Sequence, residues 1–206
     1  MPARRSPPEA DEGGSLSERT GINPVPTLII NMKQLLLHVC CAPCLSGTHK
    51  ALEAEDLDIT GFFYNPNIHP EEEHKKRIGA LISYSSQKDM KALIIENFNM
   101  EIFKKEVVGR PDDRCVNCYK LRLKRTAYCA KKNGFDSFST TLLLSPYQKH
   151  ELIKQAGEEM AGEHGVRFYY KDFRPFYKDS IAISKMLGLY RQKYCGCYLS
   201  RGASRE

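Results

Sequence analysis

The feature that most constrains this chain is the run Leu35-Leu36-Leu37-His38-Val39-Cys40-Cys41-Ala42-Pro43-Cys44. Its apolar half reads as a strand buried on both faces, as in a parallel sheet covered by helices. It leads directly into three closely spaced cysteines. Two more tight groups lie far along the chain: Cys115-Val116-Asn117-Cys118 and Cys195-Gly196-Cys197. Only folding can bring these groups together, and such grouping points to a metal or redox centre.

The remaining sequence alternates between two hydrophobic periods. Strands are expected over residues 35–39, 58–64, 92–98, 137–142 and 166–172. Helices are expected over 46–55, 71–87, from Cys115 to near Lys132, from Ser145 to about His164, and over 179–187. A short helical segment is expected before Val108, and a loop over 109–113. Glu71–Lys75, Glu72–Lys76 and Glu73–Arg77 are favourable i,i+4 pairs on the second helix. Ser145, Pro146 and Gln148 form a helix-start pattern, with an N-cap serine, proline at the first position and glutamine at the third. Strands alternating with helices predict an α/β fold, a single-domain parallel-sheet sandwich spanning 32–206. In such sheets ligands bind beyond the carboxyl ends of the strands. The first strand is expected to be central, which sets Cys40–Cys44 at a ligand site.

Residues 1–31 are rich in Pro, Gly, Ser and Glu and are expected to form a disordered N-terminal tail. No apolar run approaches the ~20 residues that span a bilayer, so no membrane partner is expected. No apolar segment follows Arg4 and Arg5 before Pro24, which argues against a secretory signal. The expected compartment is the reducing cytoplasm, where cysteines serve metals or catalysis rather than a disulfide framework. The net charge of +6 gives a mild bias toward polyanions.

Cys115 and Cys118 have C-x2-C spacing at a helix start, where two thiolates one turn apart can converge on one metal. A structural zinc competes with that reading. Cys40 and Cys41 would point to opposite faces of a continuing strand, so they serve one centre only if the chain turns there. Cys41 and Cys44 also form C-x2-C. Three thiols thus compete for two places in a four-ligand site shared with Cys115 and Cys118. Cysteines one residue apart, such as Cys195 and Cys197, close only a small strained ring, which is easily reduced; metal ligation is the other reading. Four-thiolate sites serve zinc and iron–sulfur clusters alike. A closed zinc site leaves the strained pair without a role, whereas a cluster carrying single electrons beside a two-electron dithiol makes a coherent reductase.

Cys129 returns to the face of Cys118 but lies about 16 Å further along the helix at ~1.5 Å per residue, so it reads as a core cysteine. His38 reads as a satisfied core histidine, with support of the metal site as the alternative. His69 and His74 read as solvated. Lys120, Arg122, Lys124, Arg125, Lys131 and Lys132 form either a wet helix face or a phosphate-contacting surface.

Four stretches in order carry a resemblance: LLLHVCCAPC at 35–44, RCVNCYKLRL at 114–123, FSTTLLLSPYQ at 138–148 and FRPFYKDSIAISKMLGLYRQKYCGCYLS at 173–200. Over roughly residues 33–200 the chain resembles the epoxyqueuosine reductase QueH family. The resemblance implies reductive deoxygenation of the epoxide of epoxyqueuosine at the wobble position of tRNA, the last step of queuosine synthesis. It implies a HUP-type sandwich akin to PP-loop ATPases, a [4Fe-4S] cluster and no cobalamin. By motif position the cluster ligands are Cys40, Cys41, Cys115 and Cys118, and Cys195 and Cys197 are the redox-active pair. The family also allows an additional mononuclear iron beside the cluster, which makes Cys44 an alternative ligand. No SGGxDS-like phosphate loop is present; Cys40–Cys44 stands in its place, so ATP is not implied. The electron donor is unidentified. Two other readings compete: a zinc-stabilised tRNA-binding module, and a tRNA sulfur-transfer enzyme on the same fold.

Overall fold

The computed structural model describes residues 33–96, 98–108, 114–197 and 200. The expected tail at 1–31 and the loop at 109–113 lie outside the described residues. Five strands form one sheet in the order β3-β2-β1-β4-β5: β1 Lys33–His38, β2 Leu57–Phe63, β3 Ala92–Ile94, β4 Ser137–Thr140 and β5 Arg167–Phe168. Every neighbouring pair is parallel. The α/β sandwich expected from the sequence is therefore the fold, and β1 is its central strand.

Strand order reverses at β1. The chain steps outward to β2 and β3, then returns to the other side for β4. After β1 the chain enters α1 (Ala42–Leu52), whose start packs into one core, and after β4 it leads to α5 (His150–His164), which packs into the other, leaving between them the crevice in which α/β sheets hold ligands. Parallel register sets His38 opposite Thr140, so the next residues of both strands line that crevice.

Alternate residues of the strands feed opposite cores. Leu36, Phe62 and Phe138 pack with Leu123, Ala127 and Ala130 of α4 (Arg114–Lys132) and with Ile153, Ala156 and Met160 of α5 (His150–His164). Leu37 and Phe63 pack with Ala42 and Leu45 of α1 (Ala42–Leu52) and with Ala80, Leu81 and Tyr84 of α2 (Glu71–Gln87). A short helix, α3 (Met100–Phe103), runs into a π-helical turn over Lys104–Val108. The last helix, α6 (Tyr177–Met186), lies against α1. There Gly47 permits close approach: a Cβ on it would meet Ser180 Cβ at 2.7 Å and Phe176 O at 2.9 Å.

Several boundaries differ from the sequence expectation. The first helix begins at Ala42 rather than residue 46, because Cys41 is its N-cap and Pro43 occupies the first turn, where no N–H is needed. β3 stops at Ile94, and Asn99 caps α3 by accepting from Glu101 and Ile102 N–H at 3.1 and 3.3 Å. β4 stops at Thr140, whose hydroxyl oxygen accepts the Leu142 N–H at 3.1 Å and opens a 3-10 turn over Thr141–Leu144. β5 is a two-residue edge strand rather than 166–172. Ser145 is not the N-cap of α5 but the C-cap of the 3-10 turn before it. Residues 145–148 form a turn, α5 starts at His150, and Gln148 accepts the Tyr119 hydroxyl at 2.8 Å, a tertiary bond to α4 instead of the local capping box. α6 begins at Tyr177, two residues before the expected start.

Candidate metal and redox site

The turn after β1 gathers three sulfurs. Cys40, Cys41 and Cys44 present Sγ atoms all within 4.8 Å of one another. The early start of α1 produces this, because N-cap and third helical position stack one above the other while Cys40 lies just ahead of them. The Cys44 N–H donates to Cys41 Sγ at 3.4 Å. The Thr141 hydroxyl, at the end of neighbouring β4, donates to Cys40 Sγ at 3.2 Å and accepts the Cys40 N–H at 3.0 Å. Gln192 Nε2 donates to Cys41 Sγ at 2.8 Å.

Cys40, Cys44, Cys115, Cys118, Cys195 and Cys197 all line a single cavity of about 160 Å³. The three sequence groups thus converge. Cys115 and Cys118 come from the first turn of α4. No disulfide joins Cys195 and Cys197. Cys129 stands apart, packed against the core beneath α4.

The electrostatics favour an anionic sulfur at Cys40, while the thiols of Cys41, Cys44 and Cys118 are pushed up. Hydrogen bonds from Cys41 and then Cys44 hold the Cys40 thiol well below its ordinary range, against the effect of burial. Burial, reinforced by that bond to Cys40, pushes the Cys41 thiol up to about 12. Burial pushes the Cys118 thiol up to about 11, opposed by Arg122. Three thiols this close share protons so that one becomes the acceptor of the others.

Sequence reasoning singled out Arg122 only as part of a basic face. It is buried, and its Nη1 lies 3.9 Å from Cys118 Sγ while Nη2 donates to Asn65 Oδ1 at 2.8 Å. Among the described residues no carboxylate pairs with it. A buried cation is stabilised by negative charge nearby, and Arg122 lines the cysteine cavity. The signal was available in the sequence, since Arg122 follows Cys118 by four residues on the same helix face. The other basic residues are mostly engaged with α5: Lys120 pairs with Glu159 at 2.7 Å, Lys124 pairs with Glu163, and Lys131 donates to Gly165 O.

His38 is a core histidine with both ring nitrogens engaged, by Thr140 and Arg122. His69 and His74 are buried, not solvated, because the start of α2 tucks them against aromatic rings. His74 packs edge-on against Phe63 and Phe98, and His69 against Phe98. Asn67, which the sequence did not flag, lines the cavity, is 2% exposed, and leaves its Oδ1 without a hydrogen-bond partner.

A parallel sheet whose switch point gathers a cysteine cluster of a geometry that could hold a metal, beside a buried guanidinium, marks a cysteine-rich protein of the α/β class. Comparison with known proteins narrows this. The family model described as "Epoxyqueuosine reductase QueH" matches residues 35–203. A protein of that name from Dehalococcoides mccartyi is 40% identical over 167 residues, covering 81% of this chain and 92% of its own. Its namesake from Thermotoga maritima is 38% identical over 184 residues, covering 85% and 94%. A third, from Streptococcus pyogenes, is 31% identical over 175 residues, covering 79% and 68%. The chain belongs to the epoxyqueuosine reductase QueH family.

Proposed function

We propose that this protein reduces epoxyqueuosine at the wobble position of tRNA to queuosine. The observation that carries the reading is the convergence of three distant cysteine groups on one cavity, in a member of this family. Loss of the epoxide oxygen as water consumes two electrons and two protons and leaves the alkene.

The donor set fits a [4Fe-4S] cluster. Cys40, Cys41, Cys115 and Cys118 are the proposed ligands, with Cys44 as the alternative, and an additional mononuclear iron is part of the same proposal. When bound, the iron supplies one-electron transfer and Lewis acidity toward an oxygen ligand. The protein supplies the rest. Thr141, Gln192 and the Cys44 N–H direct donors at the sulfurs, and Arg122 offsets their negative charge. The unpaired Asn67 Oδ1 is the proposed acceptor for a substrate hydroxyl. Cys195 and Cys197 release two electrons and two protons when they join as a disulfide, matching the stoichiometry of the reduction. An external reductant then restores the dithiol. Among the described residues no helix is long and apolar enough to cross a membrane, and a tRNA substrate sets the proposed location in the cytoplasm.

The test is the iron, sulfide and zinc content of anaerobically purified protein, followed by assay on epoxyqueuosine-containing tRNA. About four sulfides per chain, with about four irons for the cluster alone or about five with the additional iron, and queuosine formed, support the proposal. One tightly held zinc and no sulfide after reconstitution would overturn the cluster. Full multiple turnover by Cys195→Ser and Cys197→Ser would remove the redox role of that pair.

A further inference from the structure

The most deeply buried ion pair described in the molecule lies on α2, away from the cysteines in sequence. Arg77 and Glu73 side chains are 2% and 8% exposed, with Arg77 Nη2 and Nε each 2.8 Å from Glu73 Oε1. A buried pair of this kind contributes little net stability, since apolar residues of similar volume commonly do as well or better. Its value therefore lies in what else it holds.

What it holds is the backbone around Cys195 and Cys197. Arg77 Nη2 donates to Tyr194 O at 3.0 Å, and Nη1 donates to Cys195 O at 3.1 Å. The next carbonyl, Gly196 O, accepts the His69 N–H at 2.9 Å from the segment just ahead of α2. The one after, Cys197 O, accepts the Ser200 hydroxyl at 2.7 Å. Four successive carbonyls are thus fixed, two of them by one guanidinium. Tyr190 donates to Glu73 Oε2, so the carboxylate orienting the guanidinium is itself held by the same C-terminal segment. Gly196 sits at φ +111°, and a Cβ there would meet Ile68 Cγ1 at 2.9 Å and Arg77 Nη1 at 3.2 Å. The loop is seated directly on the guanidinium, and only glycine fits.

We propose that the Glu73–Arg77 pair is a positioning device that fixes the Cys195–Cys197 loop in its dithiol form and thereby sets the reduction potential of the pair. The catalytic significance rests on the redox role proposed above; the positioning does not. Closing an S–S bond requires Cβ atoms within about 3.5–4.5 Å, so joining residues two apart turns the peptide units between and beside them. The guanidinium contacts to Tyr194 and Cys195 belong to the arrangement with both thiols present. Removing them therefore favours the disulfide.

The experiment equilibrates full-length purified protein with mixtures of reduced and oxidised dithiothreitol. In the exchange two S–H bonds of the protein are lost and one S–S bond forms, while the reagent's ring disulfide opens to two thiols. The oxidised fraction is read by differential alkylation and mass of the peptide containing Cys195 and Cys197. The double variant Glu73→Leu/Arg77→Met avoids leaving a buried charge unpaired. Its equilibrium is expected to shift about tenfold toward the disulfide, which is about 30 mV more negative. Arg77→Lys keeps the charge but loses the fork that spans two carbonyls, and is expected to shift at least threefold. A shift below 1.5-fold in the double variant, with cooperative melting retained, overturns the proposal. If the double variant does not fold, the same threshold applied to Arg77→Lys decides. Turnover by Cys195→Ser and Cys197→Ser separates the two readings: full turnover there with shifted potentials here removes the catalytic role and keeps the positioning.

Discussion

Arg122 Nε donates to His38 Nε2 across 3.4 Å, tying α4 to the end of the central strand directly beneath the cysteine cavity. Arginine has no acceptor, so this contact assigns the lone pair to Nε2 and the proton to Nδ1, which donates to Thr140 Oγ1 at 2.8 Å. The imidazole is neutral: burial first, and Arg122 second, bring its pKa down to about 3. Replacing Arg122 with methionine leaves His38 Nε2 and Asn65 Oδ1 buried without their donor. Each orphaned acceptor costs about 1–3 kcal/mol, partly offset by no longer burying the charge. Arg122→Met is expected to lower unfolding free energy by about 2–4 kcal/mol in urea titration. His38→Leu/Arg122→Met should cost at least about 0.5 kcal/mol less than the sum of the single variants, as contacting residues do. Strict additivity would show that the contact does not couple α4 to β1.

Two glycines should respond in opposite directions to the same substitution. Gly47 lies where α1 meets α6 with no room for a Cβ, whereas Gly79 on the exposed face of α2 has nothing within 4 Å. Overpacking a tight contact costs about 1–3 kcal/mol. Alanine in an open helix interior gains about 0.4–1 kcal/mol over glycine. Thermal melts of Gly47→Ala and Gly79→Ala should therefore bracket the unsubstituted protein. A neutral Gly47→Ala would mean the two helices can separate freely.

The sheet was legible because its determinants are local. The apolar run at 35–39 and the i,i+4 charge pairs at the start of 71–87 each act within a few residues. The ends of elements were less so, because they are decided by partners far away. Gln148 abandons a capping box for Tyr119, and Thr140 ends a strand that its neighbours would continue. The site shows the same division. Cysteine spacing announced three groups, and the adjacency of Cys40 and Cys41 made one shared centre conditional on a turn out of the strand, which the early start of α1 supplies. Arg77 was read only as the i,i+4 partner of Glu73, and Asn67 and Gln192 left no mark, since a buried arginine and a solvated one look identical in sequence. His69 and His74 read as solvated for the same reason: a charged helix start conceals the aromatic rings that cover them.

Burial of histidine also predicts how stability responds to acid. His49 on α1 bonds the Tyr84 hydroxyl at 2.9 Å, and burial holds its pKa below the ordinary 6.5, with Lys88 lowering and Glu53 raising it. His69 and His74 are lowered by burial as well. A depressed histidine pKa means that the unfolded chain takes up the proton first. The stabilising contribution is full above pH 6.5 and is lost as pH falls below it toward the folded value. One such group contributes at most about 1.4 kcal/mol per pH unit. Urea midpoints measured from pH 7.5 to 5 should fall, and His49→Gln should make that slope shallower. An unchanged slope would assign the acid response to the other histidines.

The mouth of the cavity makes a prediction about tRNA. Tyr177 and Arg191 line it, and Tyr147, 60% exposed, packs edge-on against Tyr177 with ring centroids 5.9 Å apart. Arg191 is exposed and has no ion pair among the described residues. An aromatic face beside free positive charge suits an unstacked nucleotide and its phosphate, the features through which proteins grip single-stranded loops. The two residues should fail differently. Arg191→Ala should reduce the slope of log affinity against log salt by about 0.7, the loss of one single-strand phosphate contact. Tyr147→Ala should weaken binding by about 1 kcal/mol or more, roughly fivefold, with the slope intact, because stacking releases no counterions. Filter binding of substrate tRNA between about 50 and 200 mM salt separates these effects. If neither variant changes affinity or slope, the anticodon loop enters the cavity from another side, and the exposed tyrosine is not its platform.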